Sequence, residues 1–151
     1  DSKLVDFLLE EGYENISVLD ISANALERAK KRKKEKAKKV TWIVADITEF
    51  EPTEQYDNWH DRAVFHFLTD ENDIKKYQDL VAKAVKGNIV IGTFSINGPL
   101  ICSSLEIKQN DETSLTSTFD ANFEKIECFT MDHKTPFDTI QNFIFCSFNK
   151  K

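Results

Sequence analysis

The sequence predicts an α/β fold on a mostly parallel sheet, and three observations carry that prediction. Short apolar runs end in acids: ISVLD at residues 16–20, and VTWIVA at 40–45 just before Asp46. This is the pattern of strands buried on both faces. Segments of helical spacing alternate with such runs, which favours parallel pairing with helices on both faces of the sheet. Two later stretches, 123–131 and 141–148, alternate apolar and polar residues and read as an antiparallel, hairpin-like pair at a sheet edge.

Taken in order, Leu4, Val5, Leu8 and Leu9 recur at helical spacing and predict a helix over 2–11, with Gly12 as its C-terminal signal. The strand at 16–20 follows. Ser22 is a good N-cap for a helix from Ala23 through Lys34 or beyond, burying Leu26 and Ala29. The second strand covers 40–45, and a weaker third one covers 56–60, where Asn58 occupies a position expected to be buried. Thr69 or Asp70 caps a helix over 72–86 that buries Ile74, Tyr77, Leu80, Val81 and Ala84, with Gly87 ending it. A fourth strand spans 88–94. A loop over 95–104 carries the turn signal Asn97-Gly98-Pro99, and a short helix is expected near 112–118.

The 151 residues fit one domain, 1–151, and 40% hydrophobic content with twelve Phe supplies a core. No apolar run approaches the roughly 18 residues of a membrane span. The polar opening Asp1-Ser2-Lys3 shows no signal-peptide pattern. Cys102, Cys128 and Cys146 are odd in number and far apart, so reduced thiols and a cytoplasmic location are expected. The net charge of −6 argues against nucleic-acid or anionic-membrane partners. The basic run over residues 30–39 lacks interleaved aromatics and reads as a solvated helix end. His60, His66 and His133 match no ligand spacing, so no metal site is expected.

Open α/β sheets bind ligands beyond the carboxyl ends of their strands. Asp20, Asp46 and the run His60-Asp61-Arg62 fall there. Asp20 can accept hydrogen bonds from two ribose hydroxyls, and Ile21 can pack on an adenine face. Asp46 can take the adenine amino group, with Ile47 on the other face. Each acid could equally cap the element that follows it, but the repeated acid–Ile pattern favours a nucleoside. Asp61 and Arg62 either orient a second ligand or form an ordinary ion pair. His60 is a candidate ligand contact. His66 reads as a helix-start or core-edge residue. His133 either faces the second ligand or braces its loop.

The runs Val18-Leu19-Asp20-Ile21-Ser22 and Val44-Ala45-Asp46-Ile47 resemble the second and third motifs of class I S-adenosylmethionine (SAM) dependent methyltransferases. The stretch YDNWHDRAVFHFLT at 56–69 resembles a bacterial branch of that family, as do Thr93-Phe94, Asn97-Gly98-Pro99, Cys102-Ser103, His133-Lys134-Thr135-Pro136 and Gln141-Asn142-Phe143. The resemblance implies a Rossmann-like sheet of order 3-2-1-4-5-7-6 with an antiparallel C-terminal strand. It implies SAM as cofactor and methyl transfer to an acceptor. Cofactor contacts would fall at Asp1, Asp20, Ile21, Asp46, Ile47 and His60, and acceptor contacts at Asp61, Arg62 and His133. With no recognition domain in the sequence, a small-molecule acceptor is expected.

The family's first motif, a strand with a Gly-rich turn, has no counterpart here. Asp1-Ser2-Lys3-Leu4 looks like the residues just after that turn, and no GxGxG occurs. The order then expected is flavodoxin-like, 2-1-3-4-6-5, with residues 16–20 pairing directly with 56–60. The alternative reading is therefore a truncated or engineered methyltransferase-derived scaffold with weak SAM affinity and no activity. A homodimer through exposed or swapped strands is a further expectation.

Overall fold

The structure is a computed structural model that describes residues 2–151. Asp1, an expected cofactor contact, lies outside the described residues. The chain divides into two compact units, the first running to Phe50 and the second spanning Glu51–Lys151. Among the described residues, no helix is long and apolar enough to cross a membrane.

In the first unit, Val5 and Leu9 of helix α1 (Leu4–Glu10) form a small core with Val40, and Ile16, Val18 and Trp42 pack against it. The last four lie on strands β1 (Ile16–Asp20) and β2 (Val40–Val44), which pair in parallel from Ile16↔Val40 to Asp20↔Val44. Parallel neighbours need a crossover, supplied by helix α2 (Ala23–Lys33) and a 3-10 helix (Lys34–Lys39). Ser22 caps α2 as expected, its Oγ accepting from the Ala25 amide at 3.2 Å. Gly12 closes α1 at φ +83, its amide donating to the Leu9 carbonyl.

The basic run does more than face solvent. Arg32 Nε lies 2.7 Å from Asp6 Oδ2, and Lys33 Nζ lies 3.2 Å from Asp6 Oδ1. Asp6 is buried, which by itself raises its pKa. The bonds from Arg32 and Lys33 outweigh that and hold it below the ordinary value. Two residues of the run thus tie α2 to α1. Lys34, just past the end of α2, takes φ +51 and ψ −123, a conformation that favours residues without a Cβ.

In the second unit, strands β3 (Tyr56–Arg62), β4 (Val85–Phe94), β7 (Phe123–Lys134) and β8 (Ile140–Lys150) form one sheet of order β3-β4-β8-β7. β3 and β4 are parallel, and β8 runs antiparallel to both β4 and β7. Helices α3 (Glu71–Ala84) and α4 (Glu112–Phe119) pack on one face of it. There Tyr77 meets Asp61, and the Phe119 ring lies 5.5 Å from that of Phe148. Asp70 and Asp111 cap these helices, Asp111 in a capping box with Ser114.

Several expectations are corrected. No ladder pairs β1 with β3 among the described residues, so the expected continuous 2-1-3-4-6-5 sheet is not seen; the ladders are β1-β2 in one sheet and β3-β4-β8-β7 in another. α3 ends at Ala84, and β4 begins directly at Val85. Gly87 lies inside that strand because a Cβ there would sit 2.2 Å from the Asp57 carbonyl oxygen, at the β3 register shift. Asn58 is exposed, not buried, because it lies on the sheet face that α3 and α4 leave bare. The 95–104 loop contributes to a short hairpin, β5 (Ile101–Cys102) with β6 (Leu105–Glu106). Cys128 and Cys146 are not free thiols. They are directly opposed on β7 and β8, with Cα atoms 4.2 Å apart, and form a disulfide, while Cys102 is free. Sequence spacing does not reveal a cross-strand register, which is why the pairing escaped it.

Two of the buried polar side chains of the second unit, Asp61 and His66, shape its core. Asp61 has no cation partner among the described residues. Its Oδ2 accepts from Tyr77 Oη at 2.6 Å, and its Oδ1 from the amides of Val64 and Phe65 at 3.1 and 3.4 Å. Trp59 Nε1 donates in turn to Tyr77 Oη at 3.1 Å. Burial pushes the Asp61 carboxyl up to about 6, against the pull of these donors. His66, in a 3-10 turn (Phe65–Phe67), is fully buried and stacks on Phe94 at 4.2 Å and 5°. Neither ring nitrogen has a partner, and burial pulls its pKa down to about 4. An unpaired buried donor of this kind costs about 1–3 kcal/mol.

Three outcomes follow for stability. Lys34→Gly stabilises the fold by about 1 kcal/mol because it relieves the positive-φ backbone, read as a raised urea midpoint; an unchanged midpoint would refute the strain. The disulfide closes a loop of sequence separation 18, so reduction lowers stability by about 3 kcal/mol, read as a fall in melting temperature with phosphine reductant that Cys128→Ser does not show. The third concerns pH. Asp61 binds its proton more tightly when folded, so its contribution falls as pH rises from about 4 to about 6. His66 binds its proton less tightly when folded, so its contribution rises from about 4 to its ordinary 6.5. The two slopes oppose each other. Asp61→Asn therefore adds a positive stability slope of up to about 1.4 kcal/mol per pH unit over this window, and His66→Phe adds a negative one. Slopes equal to that of the parent protein would contradict both assignments.

Candidate functional site

In the first unit, Asp20 is the last residue of β1, in register with Val44 at the end of β2. The Ala45 amide donates to the Asp20 carbonyl at 3.2 Å, and Asp46 follows immediately. Both acids therefore sit at the same carboxyl end of the parallel pair. Each is steadied by a local turn. Asp20 Oδ1 accepts from the Ser22 amide at 2.8 Å, and Asp46 Oδ1 accepts from the Thr48 amide and Oγ1, both at 2.8 Å. Asp20 Oδ2 takes no hydrogen bond from the described residues. Beside them Ile21 is 70% exposed and Ile47 is half-buried. Carboxylate acceptors flanked by accessible aliphatic side chains suit a nucleoside: the acids take hydroxyl or amino hydrogens, and the aliphatic groups cover a flat base.

In the second unit, strand alternation separates the neighbours His60, Asp61 and Arg62. Asp61 turns into the core and both its oxygens are engaged there. Arg62 is exposed on the opposite face at the carboxyl end of β3. Its Nη2 lies 3.4 Å from Nδ1 of His133, 71 residues on, and its guanidinium lies 5.4 Å from the centre of the Phe143 ring. Of the three expected acceptor contacts, Arg62 and His133 thus meet, and Asp61 is not with them. No Asp61–Arg62 ion pair occurs among the described residues. His60 lies on the Arg62 face; partial desolvation of its ring and then the Arg62 charge pull its pKa below the ordinary value. Cys102 is half-buried against the Phe94–Phe143 cluster, its sulfur 3.9 Å from Ser103 Oγ.

Sequence reasoning missed a polar chain at the tip of β4. Ser95 Oγ bonds Asn142 Oδ1 and accepts from the Asn97 amide, and Asn142 Nδ2 donates to Asp132 Oδ1 at 2.7 Å. The Asn97-Gly98-Pro99 turn was the one local signal of it. Close by, Asn97, Asn110, Glu112, Thr130 and Ile144 help line an open cleft of about 380 Å³.

Comparison with known proteins gives these placements a context. The N-methyltransferase NodS from Bradyrhizobium japonicum WM9 is similar in structure at a TM-score of 0.68 and 19% identity, over 89% of this chain and 72% of that one. Its complex with S-adenosyl-L-homocysteine (SAH) matches equally well, with 65% of that chain covered. A SAM-dependent methyltransferase from Methanosarcina mazei matches at a TM-score of 0.75 and 14% identity, over 98% of this chain and 87% of that one. The Burkholderia thailandensis 1,6-didemethyltoxoflavin-N1-methyltransferase, with its substrate and SAH bound, matches at 0.72 and 15%, over 97% and 65%. The present chain thus spans just under two thirds of the two SAH-bound chains. At these identities the likeness is one of fold, that of SAM-dependent methyltransferases. No curated protein sequence matches the chain. The family model described as a methyltransferase domain matches residues 2–88, more than half of the sequence, and the chain belongs to that family.

Proposed function

We propose that this chain takes part in methyl transfer from SAM to a small-molecule acceptor. The observation that carries the reading is the shared carboxyl rim of β1 and β2, where Asp20 and Asp46 stand with Ile21 and Ile47 beside them. In this reading Asp20 holds the ribose hydroxyls, with Oδ2 as the accepting atom. Ile21 and Ile47 cover the faces of the adenine, and Asp46 accepts from its amino group. His60 is assigned a cofactor contact. SAM supplies a methyl group on a sulfonium, which leaves as a neutral thioether when attacked in line. The chain's own contribution is to bind, orient and dry the reactants, because alignment is the larger part of such a reaction. Arg62 and His133 are assigned to the acceptor. The SAH complexes of NodS and of the toxoflavin enzyme support the choice of cofactor.

Titration calorimetry with SAH tests this. Binding is expected at micromolar concentration. Asp20→Ala weakens it about 30-fold, the loss of a charged acceptor worth about 2 kcal/mol. Absence of any heat of binding, or equal affinity in the variant, would reject the assignment.

A further inference from the structure

The sheet of the second unit carries its helices on one face only. On the other face, around Arg62, lies a ledge of apolar side chains. Phe129 and Met131 on edge strand β7 are 51% and 53% exposed. The Phe129 and Phe145 rings lie 5.6 Å apart at 19°, and Phe145 continues to Phe143 at 6.0 Å and 25°. The rings are near parallel and stacked one after another, so they form an aromatic row along the ledge. Gly92 allows this: a Cβ there would sit 2.4 Å from Phe145 Cε1 and lift the ring off the sheet. Ledges of this kind on soluble proteins mark binding sites.

Arg62 stands at the rim of this ledge, and its chemistry narrows the ligand. A guanidinium presents five N–H donors in a plane suited to a carboxylate. Here it has His133 Nδ1 and the Phe143 ring for company. No carboxylate pairs with it among the described residues. The nearest candidates are committed elsewhere, Asp61 to Tyr77 in the core and Asp132 to Asn142. An aromatic row bounded by an arginine without a carboxylate partner among the described residues calls for an aromatic ligand with one negative group.

We infer that the acceptor is a planar aromatic carboxylate, its ring lying on Phe129, Met131 and Phe145 and its carboxylate on Arg62. This deepens the methyltransferase reading and rests on it only for the ligand's role as acceptor. The face and the cation belong to the second unit alone.

The test uses the full chain and two probes of equal shape, 1-naphthoate and its neutral counterpart 1-naphthamide, followed by amide NMR shifts. Naphthoate is expected to perturb Arg62, Phe129, Met131, His133 and Phe145 and to bind at least 10-fold more tightly than the amide. Arg62→Gln removes that preference, and Phe129→Ala weakens both probes alike. Equal affinity of acid and amide overturns the inference. So do shifts centred on the cleft at Asn97, Asn110 and Thr130 in place of the ledge. A parallel titration with SAH separates the two levels of the argument. SAH binding without naphthoate binding overturns the substrate class and leaves the methyltransferase reading standing. Naphthoate binding without SAH binding overturns the acceptor role.

Discussion

The buried carboxylate of Asp61 constrains the second unit more than any other single group. It binds Tyr77 of α3 and the two amides that begin the turn after β3, and Tyr77 in turn receives the Trp59 indole. Strand, helix and turn are thereby fixed to one another through a group that burial makes costly to leave unsatisfied. Side chains alternate along a strand. Once Asp61 is fixed inward, His60 and Arg62 face outward. The orientation of the candidate acceptor residues is therefore a consequence of a core interaction. A slip of β3 by one residue would bury the arginine and expose the acid.

The two rims differ in charge as their proposed ligands differ. In the first unit, an acid stands at the carboxyl end of each parallel strand, and each is held by a short-range turn beside an aliphatic neighbour. Such a surface suits a ligand rich in hydroxyl and amino hydrogens. In the second unit the exposed group is cationic, and the surface beneath it is aromatic. The net charge of −6 describes neither surface. It averages an acidic rim, a guanidinium site and a basic run that partly serves to join α1 to α2.

Interactions within a few residues were legible before any coordinates. Ser22 as a cap, Gly12 as a left-handed stop and Asp20 and Asp46 at strand ends all depend on local backbone chemistry. The methyltransferase likeness rested on the runs around Asp20 and Asp46 and, most specifically, on the stretch at 56–69. Gly87 misled because a glycine after a helical stretch usually ends the helix, and only the approach of the Asp57 carbonyl explains it. Asn58 misled because burial was assigned to a strand as a whole, whereas one face of that sheet is bare.

Strand and helix periods, cap positions and acids at strand ends were thus determined by the sequence itself, because each is set by neighbours within one or two turns of chain. The remainder was decided by tertiary structure. The Cys128–Cys146 bridge needs the β7–β8 register, the Arg62–His133 contact spans 71 residues, and the Asp6 pair with Arg32 needs α2 to cross α1. Whether Asp61 or Arg62 faces the core depends on which side of β3 the helices cover. Periodicity divides residues between two faces, and only packing says which face is buried.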